Sequence, residues 1–234
     1  LNVFRQSAAM PRVREFGASA YRPVWRRMAR FAASAGPETR EELWLLSHHP
    51  VFTLGQAGRR EHVLDSGGVP VVETDRGGQV TYHGPGQLVA YPLWNLRRRG
   101  MGARDLVGLL EAAVIDTLAG FGIDAATRPG APGVYAGEAK IAALGLRIKR
   151  GWSYHGLSLN VDMDLAPFQR INPCGFRGLR VARIADFTGP SPELMRSAAE
   201  ALQSNLLRRL DSFPVRAEAS PLYTFASPGE LVHG

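Results

Sequence analysis

The chain of 234 residues contains a single cysteine, Cys174, and only two lysines, Lys140 and Lys149. One cysteine excludes an internal disulfide and any structural zinc site built on paired thiolates. No apolar run approaches the 18 or so residues of a membrane span, and no low-complexity linker or internal repeat divides the chain. Arg22, Arg26, Arg27 and Arg30 interrupt the N-terminal region, so no cleavable signal pattern is visible there. The chain therefore reads as cytoplasmic, with no membrane partner. The phosphate loop G-x-x-x-x-G-K-[ST], the common ATP cradle, is missing. His48 and His49 are adjacent rather than one helical turn apart, and no acidic cluster completes a ligand set, so no metal is expected.

What the chain has in excess is arginine. Its net charge of +7 and pI near 10.2 favour acidic partners. Basic clusters stand at Arg97-Arg98-Arg99, at Lys149-Arg150, and at Arg177, Arg180 and Arg183; each alone reads as a solvated face. A nucleic-acid module would interleave aromatics with these charges, and Trp25, Trp44, Trp94 and Trp152 do not.

The periodicities describe one α/β (α+β) domain over residues 1–234, with helices packed on a mixed, largely antiparallel sheet. Val24, Met28 and Phe31 have helical spacing, with Pro23 near the helix start. Leu106, Leu109, Leu110, Ala113, Val114 and Leu118 mark an amphipathic helix ended by Gly120 or Gly122. Ser191, Pro192 and Glu193 read as the N-cap and first turn of a last helix carrying Met195, Ala198, Leu202 and Leu206 on one side. Strands are expected at Glu42–Ser47, Val51–Gly55, Val69–Glu73 and Gln87–Leu93, and an antiparallel meander at Val134–Ala136, Ala139–Lys149 and Trp152–Val161.

Between two of these strands lies Arg76-Gly77-Gly78-Gln79-Val80-Thr81-Tyr82-His83-Gly84-Pro85-Gly86-Gln87. Its four glycines let the backbone approach a ligand closely. Exposed N–H groups beside a cation suit a carboxyl, phosphate or thioester-linked acyl group. Cys174 sits in Ile171-Asn172-Pro173-Cys174-Gly175, a turned loop that would display its thiol. In a chain that almost always carries its positive charge on arginine, Lys140 stands out, because a lysine can exchange its proton and an arginine cannot. A cation about 4 Å from a thiolate contributes roughly 4 kcal/mol at an effective dielectric near 20. Half of that would lower the thiol pKa by more than one unit, since a unit is about 1.4 kcal/mol. His83 or His155 beside Cys174 is the weaker alternative for activating the thiol.

These residues resemble the lipoyl (octanoyl) transferase family, octanoyl-[acyl-carrier-protein]-protein N-octanoyltransferases, over roughly residues 40–187. The resemblance runs collinearly through His49–Gly55, the glycine loop, Ala131–Tyr135, Lys140–Arg147, His155–Val161 and Arg170–Gly175. It implies a fold like the catalytic domains of biotin and lipoate ligases. It further implies that Cys174 takes octanoyl from octanoyl-acyl carrier protein as a thioester, and that Lys140 lowers the thiol pKa and acts as acid and base. The acyl group then passes to a lysine on apo lipoyl domains, those of 2-oxoacid dehydrogenase E2 subunits and the glycine cleavage H protein. Arg76, Gly77, Gly78, Gln79, Val80, Thr81, Tyr82 and His83, with Ala143, Leu144, Gly145, Gly156, Leu157 and Ser158, are the implied acyl-binding residues. No cofactor, ATP or metal is implied, and no nucleic acid. An ATP-dependent ligase on the same fold is the nearest competing reading, and it would need no nucleophilic cysteine. Lys140→Arg keeps the charge and removes proton exchange. Thiol alkylation should stay within about threefold of the parent while acyl transfer falls roughly 100-fold; normal transfer would remove Lys140 as acid and base.

Overall fold

The computed structural model describes residues 9–172 and 178–213. Its main sheet has seven strands: β1 (Arg12–Ser19), β2 (Glu42–His48), β6 (Gln87–Leu93), β10 (Trp152–Asn160), β9 (Ala139–Lys149), β8 (Ala131–Ala136) and β7 (Ala126–Arg128), in that spatial order. Only the β1–β2 pair is parallel; the others run antiparallel. A second sheet of three strands places β3 (Val51–Leu54) between β4 (Val71–Glu73) and β5 (Val80–His83). The mixed, largely antiparallel architecture read from the sequence is present, and three strands not anticipated there, β1, β5 and β7, complete it.

β2 and β6 are buried along almost their whole length because helices cover both faces. Alternation sends Leu43, Leu45, Leu88 and Ala90 to one side, where α2 (Ala103–Gly120), the short α3 (Ala185–Thr188) and α4 (Leu194–Asp211) pack. Trp44, Leu46, Val89 and Tyr91 point to the other side, against Met28 and Ala32 of α1 (Tyr21–Ser34). Each helix contributes the stripe its spacing requires: Leu106, Leu110, Ala113 and Val114 on α2, and Leu194, Ala198, Leu202, Leu206 and Leu210 on α4. The start of α4 differs from expectation. The helix begins at Leu194, and the Ser191 hydroxyl accepts the Glu193 N–H at 3.3 Å one turn earlier. The small sheet has its own core of Phe52, Leu54, Val80, Tyr82, Met163, Phe168 and Ile171. Among the described residues no helix is long and apolar enough to cross a membrane.

Three arginines expected on solvated faces, Arg98, Arg99 and Arg183, are held by acids. Glu41, 1% exposed, accepts from Arg99 Nε at 2.7 Å, from Arg98 at 3.2 Å and from the Asn95 N–H at 2.9 Å. Arg99 is itself buried, because the loop 95–101 closes over this carboxylate. Arg183 is held by Asp162 at 3.1 Å and Asp186 at 3.0 Å. Removing one partner of a buried pair leaves an uncompensated charge, so Glu41→Gln should lower stability by about 3–5 kcal/mol in urea unfolding; a change below about 0.5 kcal/mol would show the pair to be dispensable.

Candidate functional site

A cavity of about 580 Å³ opens where the glycine loop crosses the edge of β9. Beyond the last β8 partner that edge is free, and Gly77 N–H donates to Leu146 O at 2.8 Å. The approach requires glycine at 145, since a Cβ there would stand 2.9 Å from Gly77 O. Every acyl-binding candidate but one lines this cavity: residues 76–81, 83, 143–145 and 156–158, together with Lys140. The exception is Tyr82. Alternation along β5 turns its ring away, onto Phe52 and Phe168 at centroid distances of 5.3 and 5.7 Å. Tyr82 is thus part of the small sheet's core rather than of the cavity wall.

Arg76 also differs from its expected role as the cation facing a ligand. Its guanidinium is directed inward. It donates to Thr53 O at 2.6 Å, to Thr53 Oγ1 at 2.9 and 3.1 Å, to Gly77 O at 2.8 Å and to Gln79 O at 2.7 Å. It therefore ties the glycine loop to β3, donating to carbonyls of both.

Lys140 is 6% exposed, a buried lysine rather than a solvated one. Its backbone is bracketed by a neighbouring segment, donating to Arg180 O at 2.8 Å and accepting from Ala182 N–H at 3.0 Å. Its amine lies 5.4 Å from the Tyr135 ring centroid. Gly133, at φ 129°, makes the space: a Cβ there would come within 2.6 Å of Lys140 Cε. Cys174 lies outside the described residues. The chain on both sides of it reaches the cavity wall, through Phe168 before and Leu179 and Val181 after.

Beneath the cavity sits a group of histidines whose protonation the geometry determines. Asn160 Nδ2 donates to the Ala182 carbonyl at 2.9 Å, which leaves Asn160 Oδ1 to accept from Gln87 Nε2 at 2.9 Å. Gln87 Oε1 must then accept from His83 Nδ1–H at 2.7 Å. His48 Nδ1–H donates to Ser19 O at 2.9 Å, so its Nε2 accepts the Tyr91 hydroxyl at 2.8 Å. Burial pushes all three rings toward neutrality. His48 falls to about 4. His83 lies well below its ordinary value, lowered by burial and then by His48. His155 is lowered by burial against the opposing pull of Asp75.

Asp75, just before the glycine loop, escaped the sequence reading. Its carboxylate accepts Trp25 Nε1–H at 2.7 Å, His155 Nε2–H at 2.9 Å and the Tyr154 hydroxyl. Burial alone would raise its pKa, but the hydrogen bonds from His155, Tyr154 and Trp25 outweigh that and hold it far below the usual carboxylate range. Adjacent residues of a strand normally face opposite ways. His155 follows Tyr154 to the same carboxylate because its φ is 57°, a left-handed conformation that costs roughly 1–2 kcal/mol. The flanking acid of a glycine loop was the available signal, but nothing local names its partners.

A histidine buried neutral makes the unfolded state the better proton acceptor below pH 6.5, so stability rises with pH. For His48 the difference between 6.5 and about 4 amounts to about 3 kcal/mol. Urea midpoints should therefore fall between pH 7 and pH 4, and His48→Gln should flatten that fall; an unchanged pH slope would contradict the assignment.

The chain is similar to known proteins in sequence and in fold. Residues 21–206 match the lipoyl protein ligase A/B catalytic domain family. An octanoyltransferase of Hahella chejuensis is 59% identical over 84% of this chain and 87% of its own length. A putative lipoate protein ligase from T. acidophilum with bound lipoic acid superposes with a TM-score of 0.69 at 19% identity, covering 86% of each chain. The biotin protein ligase of Aquifex aeolicus shares the fold at a TM-score of 0.51 and 12% identity, over 88% of this chain and 71% of the other.

Proposed function

The chain belongs to the octanoyltransferases of the lipoyl protein ligase A/B catalytic domain family and is an acyltransferase, and from that premise we propose that it moves octanoyl from acyl carrier protein to a lysine of an apo lipoyl domain through a thioester on Cys174. The observation that carries the proposal is a buried lysine, Lys140, in the wall of an apolar cavity reached by both flanks of the Cys174 segment. The thiolate of Cys174 attacks the thioester carbonyl of the phosphopantetheine-linked octanoyl group. The C–S bond to phosphopantetheine breaks, and Lys140 supplies a proton to the departing thiolate. The ε-amine of the acceptor lysine then attacks the octanoyl-Cys174 carbonyl; the C–S bond breaks with its electron pair on the Cys174 sulfur, the amine proton passes to the now neutral Lys140, and the amide is formed with the thiolate and the ammonium restored. Thioester exchange is nearly isoenergetic and amide formation is downhill, so the sequence of steps requires neither ATP nor a metal.

The cavity supports a linear acyl chain. Ala142, Ala143 and Gly145 on β9 and Gly156 on β10 keep the wall free of bulk, while Leu144, Leu146 and Leu157 make it apolar. Burial contributes about 0.8 kcal/mol per methylene, so an eight-carbon tail gains roughly 5 kcal/mol, enough to discriminate chain length. The acceptors in this proposal are lipoyl domains of 2-oxoacid dehydrogenase E2 subunits and of the glycine cleavage H protein, and the setting is the cytoplasm. Acyl carrier proteins are acidic as a family, and the net charge of +7 favours their approach. Intact-mass spectrometry after mixing with octanoyl-acyl carrier protein should reveal one hydroxylamine-labile octanoyl adduct on Cys174, absent in Cys174→Ser. Incorporation of free octanoate only with ATP, undiminished in Cys174→Ser, would overturn the proposal.

A further inference from the structure

The chain on either side of Cys174 is anchored to a different sheet. Before it, the Asn172 N–H donates to His62 O at 2.8 Å and Ile171 bridges Val63, so residues 171–172 are held by the connection between β3 and β4. After it, residues 180–182 take the place of β10 beside β9. The β9–β10 register ends at Leu159 and Ala142. The backbone of Lys140 is then held by Arg180 O at 2.8 Å and Ala182 N–H at 3.0 Å. Asn160 stands at this exchange of partners. It is the last residue of β10 and 4% exposed. Its Nδ2 donates to Ala182 O at 2.9 Å, and its own carbonyl accepts the Ile184 N–H at 3.0 Å. Both contacts are with the stretch that follows Cys174.

The other side of the Asn160 amide reaches the small sheet. Its Oδ1 accepts from Gln87 Nε2 at 2.9 Å, and Gln87 Oε1 accepts from Nδ1–H of His83, the last residue of β5, at 2.7 Å. Gln87 and His83 are buried as well. A peptide carbonyl can only accept, so the Ala182 end gives every amide in the chain one orientation. A buried hydrogen-bond chain satisfied at each link holds its groups in one arrangement. This one runs from the sheet that carries the anchor before Cys174 to the segment that carries the anchor after it. We infer that Asn160, with Gln87 behind it, is a positioning residue for the transfer reaction: it holds residues 180–182 on the backbone of Lys140 and thereby sets the Lys140 amine against Cys174. The inference rests on the octanoyl-transfer reading, in which that amine and that sulfur do the chemistry. Asn160 moves no proton itself and acts through the Ala182 and Lys140 peptides. The effect is steep in distance. At an effective dielectric near 20, moving the ammonium from about 4 to about 6 Å from the sulfur raises the thiol pKa by about one unit.

Cys174 is the only cysteine, so the rate of iodoacetamide alkylation against pH reads its thiol pKa without interference. Asn160→Leu is close in shape and can bond neither Ala182 nor Gln87. It should raise the thiol pKa by about one unit and slow octanoyl-enzyme formation about 10-fold in kcat, with KM for octanoyl-acyl carrier protein within about twofold. Asn160→Asp is the conservative variant. Burial favours its neutral acid, whose O–H donates to Ala182 O while its C=O accepts from Gln87. Its thiol pKa should stay within about 0.3 units of the parent. Leu202→Ala, in the α4 core and outside the cavity wall, should lower stability and leave the thiol pKa unchanged. A parental thiol pKa in Asn160→Leu, an equal rise in Leu202→Ala, or an Asp variant as impaired as the Leu variant would overturn the assignment. Gln87→Leu breaks the next link and should raise the thiol pKa in the same direction; no change there would refute the inference even if Asn160→Leu fails to fold. A wild-type thiol with the ordinary pKa of about 8.5, or no octanoyl-Cys174 at all, would instead remove the underlying reading.

Discussion

The site depends on one carboxylate. Asp75 takes hydrogen bonds from α1 through Trp25 and from β10 through Tyr154 and His155, and the glycine loop begins at the next residue. A loop this rich in glycine has little of its own to hold a shape, because each glycine loses more chain entropy on ordering than any other residue. Asp75 anchors its start, and Arg76 then ties its carbonyls to β3. With both ends of the turn held, the Gly77 N–H can meet the exposed edge of β9 and close a cavity between two sheets. The price is a strained backbone at His155.

The polar machinery around the cavity is organised by burial more than by charge. His48, His83 and His155 are neutral because the surrounding protein disfavours their cations. Each is then assigned one tautomer by a partner that can only accept or whose direction is set further along the chain of hydrogen bonds. Neutral, oriented rings beside an apolar chamber suit acyl transfer, where protons move by short steps and a hydrocarbon tail must stay out of water. The exposed arginines belong to a different part of the task. Several pair with local acids, as Arg183, Arg196 and Arg208 do, and serve the fold as much as any partner.

Much of the architecture was legible because its elements repeat with clear periods. The α2 stripe from Leu106 to Leu118, the strand Gln87–Leu93 and the pair Ala139–Lys149 and Trp152–Asn160 all follow from spacing and turn residues. β5 was missed because Val80–His83 lies inside a glycine-rich run whose composition suggests only a loop. β1 was missed because its edge position leaves an irregular half-exposed pattern. The cavity wall was legible for a different reason: resemblance to a family carried residues far apart in the chain to one place. What neither periodicity nor motif could supply was direction. Arg76 looked like a ligand-facing cation and points inward, Tyr82 lies on the far face of its strand, and Asp75 finds Trp25 and His155 only through the tertiary fold.

At the centre of the account stands the proposal that the enzyme carries the acyl chain on the Cys174 sulfur while donor and acceptor take turns at one cavity. The most direct measurement isolates octanoyl-enzyme free of donor and adds apo lipoyl domain without nucleotide. The account predicts that octanoyl leaves the enzyme and appears as an amide on the lipoyl-domain lysine with one common rate constant, at least as fast as steady-state turnover. An octanoyl-enzyme that persists unchanged, while turnover proceeds when donor is also present, would contradict it.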